Sequence, residues 1–152
     1  MRNFYDEIKK DFKKIQEFLD FYNKEYEEAS KEIIISGNVV EQLKQLPQQN
    51  TYRFTQLQEI EAVLRYVEIL RDEQISQQWV KYTEHYKKLL SAGEKKNYVM
   101  GEPTVIQFEK LVNEVALVRN KFLAITTGFN NKNYDLSSMV KLKVAGVDDW
   151  EV

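Results

Sequence analysis

Few residues of this sequence are of a type that could do covalent or metal chemistry. His85 is the single histidine, and it follows Glu84 directly. A histidine beside a carboxylate could act as a general base or as a metal ligand. On a helix, however, consecutive residues point in different directions, so Glu84 would not orient the imidazole. The sequence has no cysteine, and thiolate metal sites, disulfides and cysteine nucleophiles are therefore excluded.

The acidic residues and glycines do not form a catalytic signature either. The glutamates, among them Glu25, Glu27 and Glu28, lack the Glu-x-x-His pattern of di-iron helical bundles. The five glycines are scattered singly, so there is neither a phosphate-binding loop nor a nucleophile elbow. We therefore expect a protein that is not an enzyme and that uses no metal and no cofactor.

Positive charge is concentrated in the C-terminal third. Between Arg119 and Lys143 there are five basic residues and one acidic residue, Asp135, although the whole chain has a net charge of −2. Such a stripe could neutralise phosphates, pair with the acidic residues 148–152 or an acidic partner, or simply be solvated. We predict from charge alone that these five residues bind nucleic acid, and we add Lys81 because it has aromatic neighbours. The predicted nucleic-acid-binding residues are Lys81, Arg119, Lys121, Lys132, Lys141 and Lys143.

Aromatic residues are numerous, with nine tyrosines and eight phenylalanines. Aromatic rings interleaved with basic residues can stack on nucleobases. Tyr22, Tyr26, Tyr82 and Tyr86 nevertheless fall on the apolar seams of the predicted helices. The spacing therefore favours rings that fill bundle layers, with their hydroxyl groups at the rim.

Long amphipathic helices must position these residues. Apolar residues recur at steps of three and four, and only five glycines and two prolines interrupt a chain of 152 residues. The pattern predicts a single all-α domain over residues 1–152, with long antiparallel helices in a bundle or a coiled-coil-like assembly. No apolar run is long enough for a membrane span. We expect a cytoplasmic protein without membrane contact.

The turn residues predict the helix boundaries. We expect a first helix over 1–36, a short helix over 39–46 ended by Pro47, a long helix over 51–92 and a further helix over 104–129. A short helical stretch is also expected around 94–99. Residues 135–146 have helix-capping residues at both ends but also alternate like a strand, so we expect a helix or a short strand paired between subunits. Residues 148–152 are acidic and are expected to be loosely held.

The helix over 104–129 has the most regular apolar seam, sustained over three heptads. A helix of some 40 residues, like the one over 51–92, would be about 60 Å long and must protrude, bend or pack against another copy. We therefore expect a homo-oligomer, in which the oligomerisation residues are Leu111, Val115, Val118, Phe122 and Ile125.

The C-terminal third carries a resemblance to a known family. Residues 111–125, the triplet Tyr134-Asp135-Leu136 and residues 139–146 with their Ala-Gly ending resemble the small helical recombination mediators (UvsY-like) of T-even-type tailed phages. The resemblance implies a ring-shaped homo-oligomer that binds single-stranded DNA and helps load a recombinase in a phage-infected bacterial cell. In that family, the DNA-binding element is a closely spaced Lys and Arg that precede an aromatic pair. The corresponding residues 74–82 of this sequence contain a single basic residue, Lys81.

A second hypothesis needs no nucleic acid. The apolar seams could instead meet helices of a phage or host protein partner, and the lysines would then only keep the surface solvated. The protein would be a non-enzymatic adaptor or scaffold in phage assembly or packaging. An affinity for oligonucleotides that falls steeply with salt separates the two hypotheses.

Overall fold

The computed structural model describes residues 2–146, and these residues form helices and no strand. The helices are α1 (Phe4–Lys10), α2 (Ile15–Glu32), α3 (Val39–Glu84), α4 (Ala92–Met100) and α5 (Pro103–Val144), with a 3-10 turn over Phe12–Lys14. The predicted all-α class is confirmed. None of the helices in this described part of the chain has a stretch apolar enough to span a lipid bilayer. The predicted tail over 148–152 lies outside the described residues.

The frame of the molecule is an antiparallel pair formed by α3 and α5. Three contacts set the register: Leu46 shares a cluster with Ile125 and Phe129, Arg71 lies 3.6 Å from Glu109, and Lys81 lies 3.1 Å from Glu102. With 46 residues, α3 is about 70 Å long at 1.5 Å per residue. The α3–α5 pair is therefore much longer than α1, α2 and α4, which pack on it.

The core lies where α1 and α2 cover the middle of this pair. Phe4 and Phe18 meet edge to face at 5.8 Å, and Tyr22 meets Phe122 of α5 in the same way at 5.6 Å. Aromatic rings at this spacing gain quadrupole energy beyond the area they bury. The buried apolar residues of this cluster are Phe4, Ile8, Ile15, Phe18, Leu19, Tyr22, Leu57, Ile60, Val63, Leu64, Val67, Val112, Val115, Val118 and Phe122.

The N-terminal part differs from the single helix predicted over 1–36. Asp11 is extended, with φ −142° and ψ 102°, and its carboxylate accepts a hydrogen bond from the backbone N–H of Lys13. An aspartate that binds its own backbone in this way competes with helix formation. The chain turns here so that α1 and α2 both pack on α3. Gly37, with φ +77°, and Asn38, whose side chain caps α3, make the predicted break after α2.

The break predicted at Pro47 is wrong. Pro47 is exposed and lies inside α3, so the segments expected as 39–46 and 51–92 belong to one helix. Leu46 and Arg53 on either side are buried, and their packing against the rest of the bundle outweighs the cost of about 3 kcal/mol of an internal proline. The other predicted end is also wrong, since α3 stops at Glu84 rather than at 92.

The break predicted after residue 129 is wrong as well. α5 runs through Gly128 and the asparagines at 130, 131 and 133 to Val144, so the predicted segment over 135–146 is helical as far as Val144 and the alternative of a strand is excluded. Gly128 permits close packing, because a Cβ there would lie 2.8 Å from Cδ1 of Ile33. Leu136, in the C-terminal part of the helix, is fully buried. Gly146, with φ +84°, follows the end of α5 as predicted.

Candidate nucleic-acid interface

The six basic residues predicted to bind nucleic acid do not form one patch. Lys81 lies near the C-terminal end of α3, beside Glu102, whereas Lys141 and Lys143 lie in the last turn of α5. At 1.5 Å per residue, α5 carries Lys141 about 60 Å away from Glu102. Arg119 and Lys121 lie between these two ends.

The three predicted residues in the middle of α5 have partners within the chain. Lys132 is only 5% exposed, and its Nζ donates to the backbone carbonyl oxygen of Glu32 at 2.6 Å. Burial lowers the pKa of Lys132. The prediction that Lys132 binds nucleic acid is therefore corrected: Lys132 is a core residue. Arg119 donates to Asn120 at 3.0 Å, and the exposed Lys121 donates to Asn23 at 3.1 Å.

The residues predicted for oligomerisation are mostly inside a single chain. Val115, Val118, Phe122 and Ile125 are buried against α2 and α3 of the same molecule. In this fold they are core residues rather than an exposed face, which corrects the expectation. The apolar stripe did mark a buried surface, but the chain covers it by itself. Leu111 is half-buried, and with Phe12 and Phe108 it lines a shallow cleft.

A cluster of three tyrosines lies at the end of the α3–α5 pair where α4 connects the two long helices. Tyr82 and Tyr98 are stacked, with ring centroids 5.4 Å apart and planes inclined by 23°. Tyr86 lies 5.3 Å from Tyr82 and 5.7 Å from Tyr98. Tyr86 is 40% exposed and Tyr98 is 45% exposed. We call Tyr82, Tyr86 and Tyr98 the tyrosine cluster.

Local sequence brings the tyrosine cluster together. Ser91 starts α4 with a capping box, in which the Ser91 hydroxyl and the Glu94 carboxylate satisfy each other's backbone N–H groups. Leu90 and Val99 are buried at either end of α4 and hold it against the rest of the molecule. Tyr98, in the last turn of α4, is thereby placed over Tyr82 of α3.

The segment that carries the tyrosine cluster is rich in lysine. Between residues 81 and 102, five lysines face three glutamates, in a chain whose net charge is −2. Among the described residues, four of these lysines form no ion pair, and three of the four are exposed. The five lysines are Lys81, Lys87, Lys88, Lys95 and Lys96. Positive charge and partly exposed aromatic side chains therefore occur together at this end.

Glu102 links the tyrosine cluster to Lys81. Its carboxylate, only 16% exposed, accepts a hydrogen bond from the Tyr82 hydroxyl and another from Lys81 Nζ at 3.1 Å. The bonds from Tyr82 and then Lys81 lower the pKa of Glu102. The bond to Glu102 in turn raises the pKa of Tyr82 to about 12. Tyr82 is thus a neutral hydrogen-bond donor at physiological pH.

Exposed aromatic faces beside lysines are what proteins that bind single-stranded nucleic acids use. Bases stack on the rings and phosphates contact the amines, without readout of sequence. Sequence reasoning placed Tyr82 and Tyr86 in bundle layers, which is wrong for the exposed Tyr86, whereas Tyr22 is in the core as expected. The signal that was missed is the pair of Lys-Lys dipeptides, at 87–88 and 95–96, close to Tyr86 and Tyr98.

The opposite end of the α3–α5 pair carries an apolar cleft of about 330 Å³. Val39 and Val40 of α3 line it together with Met139, Val140 and Val144 of α5. Val40 and Val144 are exposed, since α2 ends before this point and no third helix among the described residues covers it. A surface of this kind is suited to contact with another protein.

His85 lies just beyond the end of α3, where it is exposed and 4.0 Å from the carboxylate of Glu84. The fold and the site together define an all-α protein with a tyrosine- and lysine-rich end on a long antiparallel helix pair. None of the family models, curated proteins and solved structures compared with this chain matches it.

Proposed function

We propose that this protein is a non-enzymatic assembly mediator that binds single-stranded DNA through the tyrosine cluster and its lysines. The observation that carries the proposal is the partly exposed tyrosine cluster, in which Tyr82 and Tyr98 are stacked and Tyr86 is tilted against both, in a segment with five lysines. Rings offer stacking surfaces to successive bases, and the lysines offer charge to the phosphates between them. The resemblance to phage recombination mediators supports a role in loading or helping a recombinase.

Binding of a dye-labelled oligothymidine, followed by fluorescence anisotropy at several salt concentrations, tests this proposal. We expect the affinity to fall steeply with salt, because lysines that contact phosphates release counterions. Replacing Lys87 and Lys88 by Gln is expected to flatten the salt slope by roughly 1.4, or about 0.7 for each lost contact. The absence of binding at low salt would contradict the proposal.

A second pair of variants locates the interface. The double variant with Lys141→Gln and Lys143→Gln also removes two positive charges, but from the C-terminal end of α5. If the tyrosine cluster is the interface, this variant keeps the slope of the wild type. The opposite result would be a flatter salt dependence for the variant at 141 and 143 and an unchanged one for the variant at 87 and 88. The strand would then bind at the C-terminal end of α5, as the charge pattern alone predicts.

The rings are tested separately from the charge. Tyr98→Ala is expected to weaken binding by about 1–3 kcal/mol, the usual contribution of one stacked base. Tyr98→Phe retains the aromatic face and is expected to bind like the wild type. An equal loss in both variants would show that the hydroxyl group, and not stacking, matters.

The apolar cleft at the other end favours the second candidate function, a protein-binding adaptor or scaffold. Under this hypothesis, Val40→Asp abolishes self-association or partner binding, while the oligothymidine does not bind at any salt concentration. Light scattering of the wild type, with and without the strand, measures whether the protein is an oligomer and whether the strand changes its mass. A homo-oligomer remains a prediction of both hypotheses.

A further inference from the structure

Glu102 occupies an unusual place within the proposed interface. It begins α5 as the N-cap residue, yet its side chain caps no backbone N–H of that helix. Its carboxylate instead faces α3, where it accepts hydrogen bonds from the Tyr82 hydroxyl and from Lys81 Nζ. Of the five lysines between residues 81 and 102, Lys81 is the one that forms an ion pair with a described residue.

A carboxylate in this position resembles a phosphate in what it offers. Both are anions with several acceptor oxygens, and both bind an ammonium and a hydroxyl group by charge-assisted hydrogen bonds. Lys81 Nζ also lies 5.1 Å from the centroid of the Tyr82 ring. A phosphate that followed a base stacked on the cluster would therefore meet a lysine whose charge is already neutralised.

We propose that Glu102 is an internal competitor for the phosphate backbone, which holds Lys81 in the free protein and sets how tightly a strand is bound. This inference rests on the proposed function, since it concerns the regulation of the same site. Strand binding then requires Lys81 to exchange Glu102 for a phosphate. The Glu102 carboxylate, which then lacks its lysine partner, opposes the strand by like-charge repulsion.

The experiment is an oligothymidine titration of Glu102→Gln, which keeps the size and the acceptor oxygen but removes the charge. We expect binding about two- to fivefold tighter than in the wild type, the fold-change that corresponds to one surface ion pair. The salt dependence is expected to become steeper, because no carboxylate is left that must take up a cation. Weaker binding would overturn the inference and would assign Glu102 a role in positioning Tyr82.

Glu84→Gln is the matched control. It makes the same change of charge at the same end of the molecule, but among the described residues Glu84 forms neither a hydrogen bond nor an ion pair with Lys81 or Tyr82; its carboxylate lies 4.0 Å from His85. We expect it to tighten binding clearly less than Glu102→Gln does. An equal effect of the two variants would reduce the role of Glu102 to its contribution to net charge and would overturn the inference.

A double-mutant cycle with Lys81→Gln isolates the competition. In the wild-type background, Lys81→Gln is expected to weaken binding by less than about twofold, because the lysine is already engaged. In the Glu102→Gln background, the same change is expected to remove the whole gain in affinity. Equal effects in both backgrounds would overturn the inference. Thermal unfolding of each variant checks that α4 and α5 remain folded.

The failure of this inference can be told apart from the failure of the proposed function. If the wild-type protein binds no strand at low salt, the proposed function itself is wrong. If the wild type binds with a steep salt dependence but Glu102→Gln and the cycle show no coupling, only the competition by Glu102 is wrong.

Discussion

The ammonium group of Lys132 donates a hydrogen bond of 2.6 Å to the backbone carbonyl oxygen of Glu32, which lies 100 residues earlier in the chain. Glu32 is the last residue of α2, where a helix leaves carbonyl groups without an intrahelical partner. A positive charge at this end also interacts favourably with the helix dipole. The carboxylate of Glu32 binds Arg53 as well, so the end of α2 is tied to both long helices.

Lys132→Ala is expected to lower the free energy of unfolding by about 1–3 kcal/mol, because it leaves a carbonyl group of α2 unsatisfied. Urea denaturation measures the change. Lys121→Ala removes an exposed lysine from the same helix and is expected to change stability by less than about 0.5 kcal/mol. If Lys132 instead binds nucleic acid, its replacement will lower strand affinity and leave stability unchanged.

Arg53→Ala is expected to cost about 3–5 kcal/mol, since Arg53 is only 4% exposed and pairs with Glu25 at 2.5 Å and Glu32 at 2.6 Å. Removing the arginine leaves Glu25 and Glu32, which lie two turns apart on α2, without the cation they share; among the described residues, only Gln56 still donates to Glu25, at 3.2 Å. Arg65→Ala is the control, because Arg65 is exposed and lies 3.5 Å from Glu68 on the same helix. An exposed pair of this kind contributes about 0–1 kcal/mol. Similar losses in the two variants would show that the buried network has no special weight.

Gly128→Ala is expected to destabilise the protein in spite of the better helix propensity of alanine. The gain of about 1 kcal/mol from propensity is opposed by overpacking against Ile33, which costs about 1–3 kcal/mol. Gly93→Ala in α4 meets no atom within 4 Å and is expected to stabilise by up to about 1 kcal/mol. Thermal unfolding of both variants compares them. A gain in both would mean that α2 and α5 are not in close contact at Gly128.

Tyr22 is expected to make the stability depend on alkaline pH. Burial, and then the 2.5 Å hydrogen bond to Glu59, raise the pKa of Tyr22 above its ordinary value of 10.0. A raised pKa favours the neutral form in the folded state, so this contribution is complete below pH 10 and is lost as pH rises further. Urea unfolding between about pH 8 and about pH 11 should therefore show the wild type losing its advantage over Tyr22→Phe, by at most about 1.4 kcal/mol per pH unit. Tyr134→Phe is the control, since Tyr134 is 73% exposed; an unchanged difference between wild type and Tyr22→Phe would contradict the prediction.

The candidate site was only partly foreseeable from the chain. Lys81 and its aromatic neighbours could be singled out by composition, because charge and ring types are read directly from the residues. The stacking of Tyr98 on Tyr82 could not, since it depends on how the residues between α3 and α4 turn. Lys132 was misassigned for a related reason, because charge is visible in a sequence and burial is not.

The all-α architecture and the break between residues 36 and 39 followed from the sequence alone, since helical periodicity and turn residues act within a few residues. Only tertiary packing decided that α3 passes through Pro47, that α5 passes through Gly128, and that the seam around Val118 and Phe122 is covered by the same chain. A local penalty of about 1–3 kcal/mol at a proline or a glycine is outweighed when neighbouring turns bury several apolar side chains. A periodic stripe shows that a helix face is buried, but the identity of what covers it depends on contacts between residues far apart in the chain.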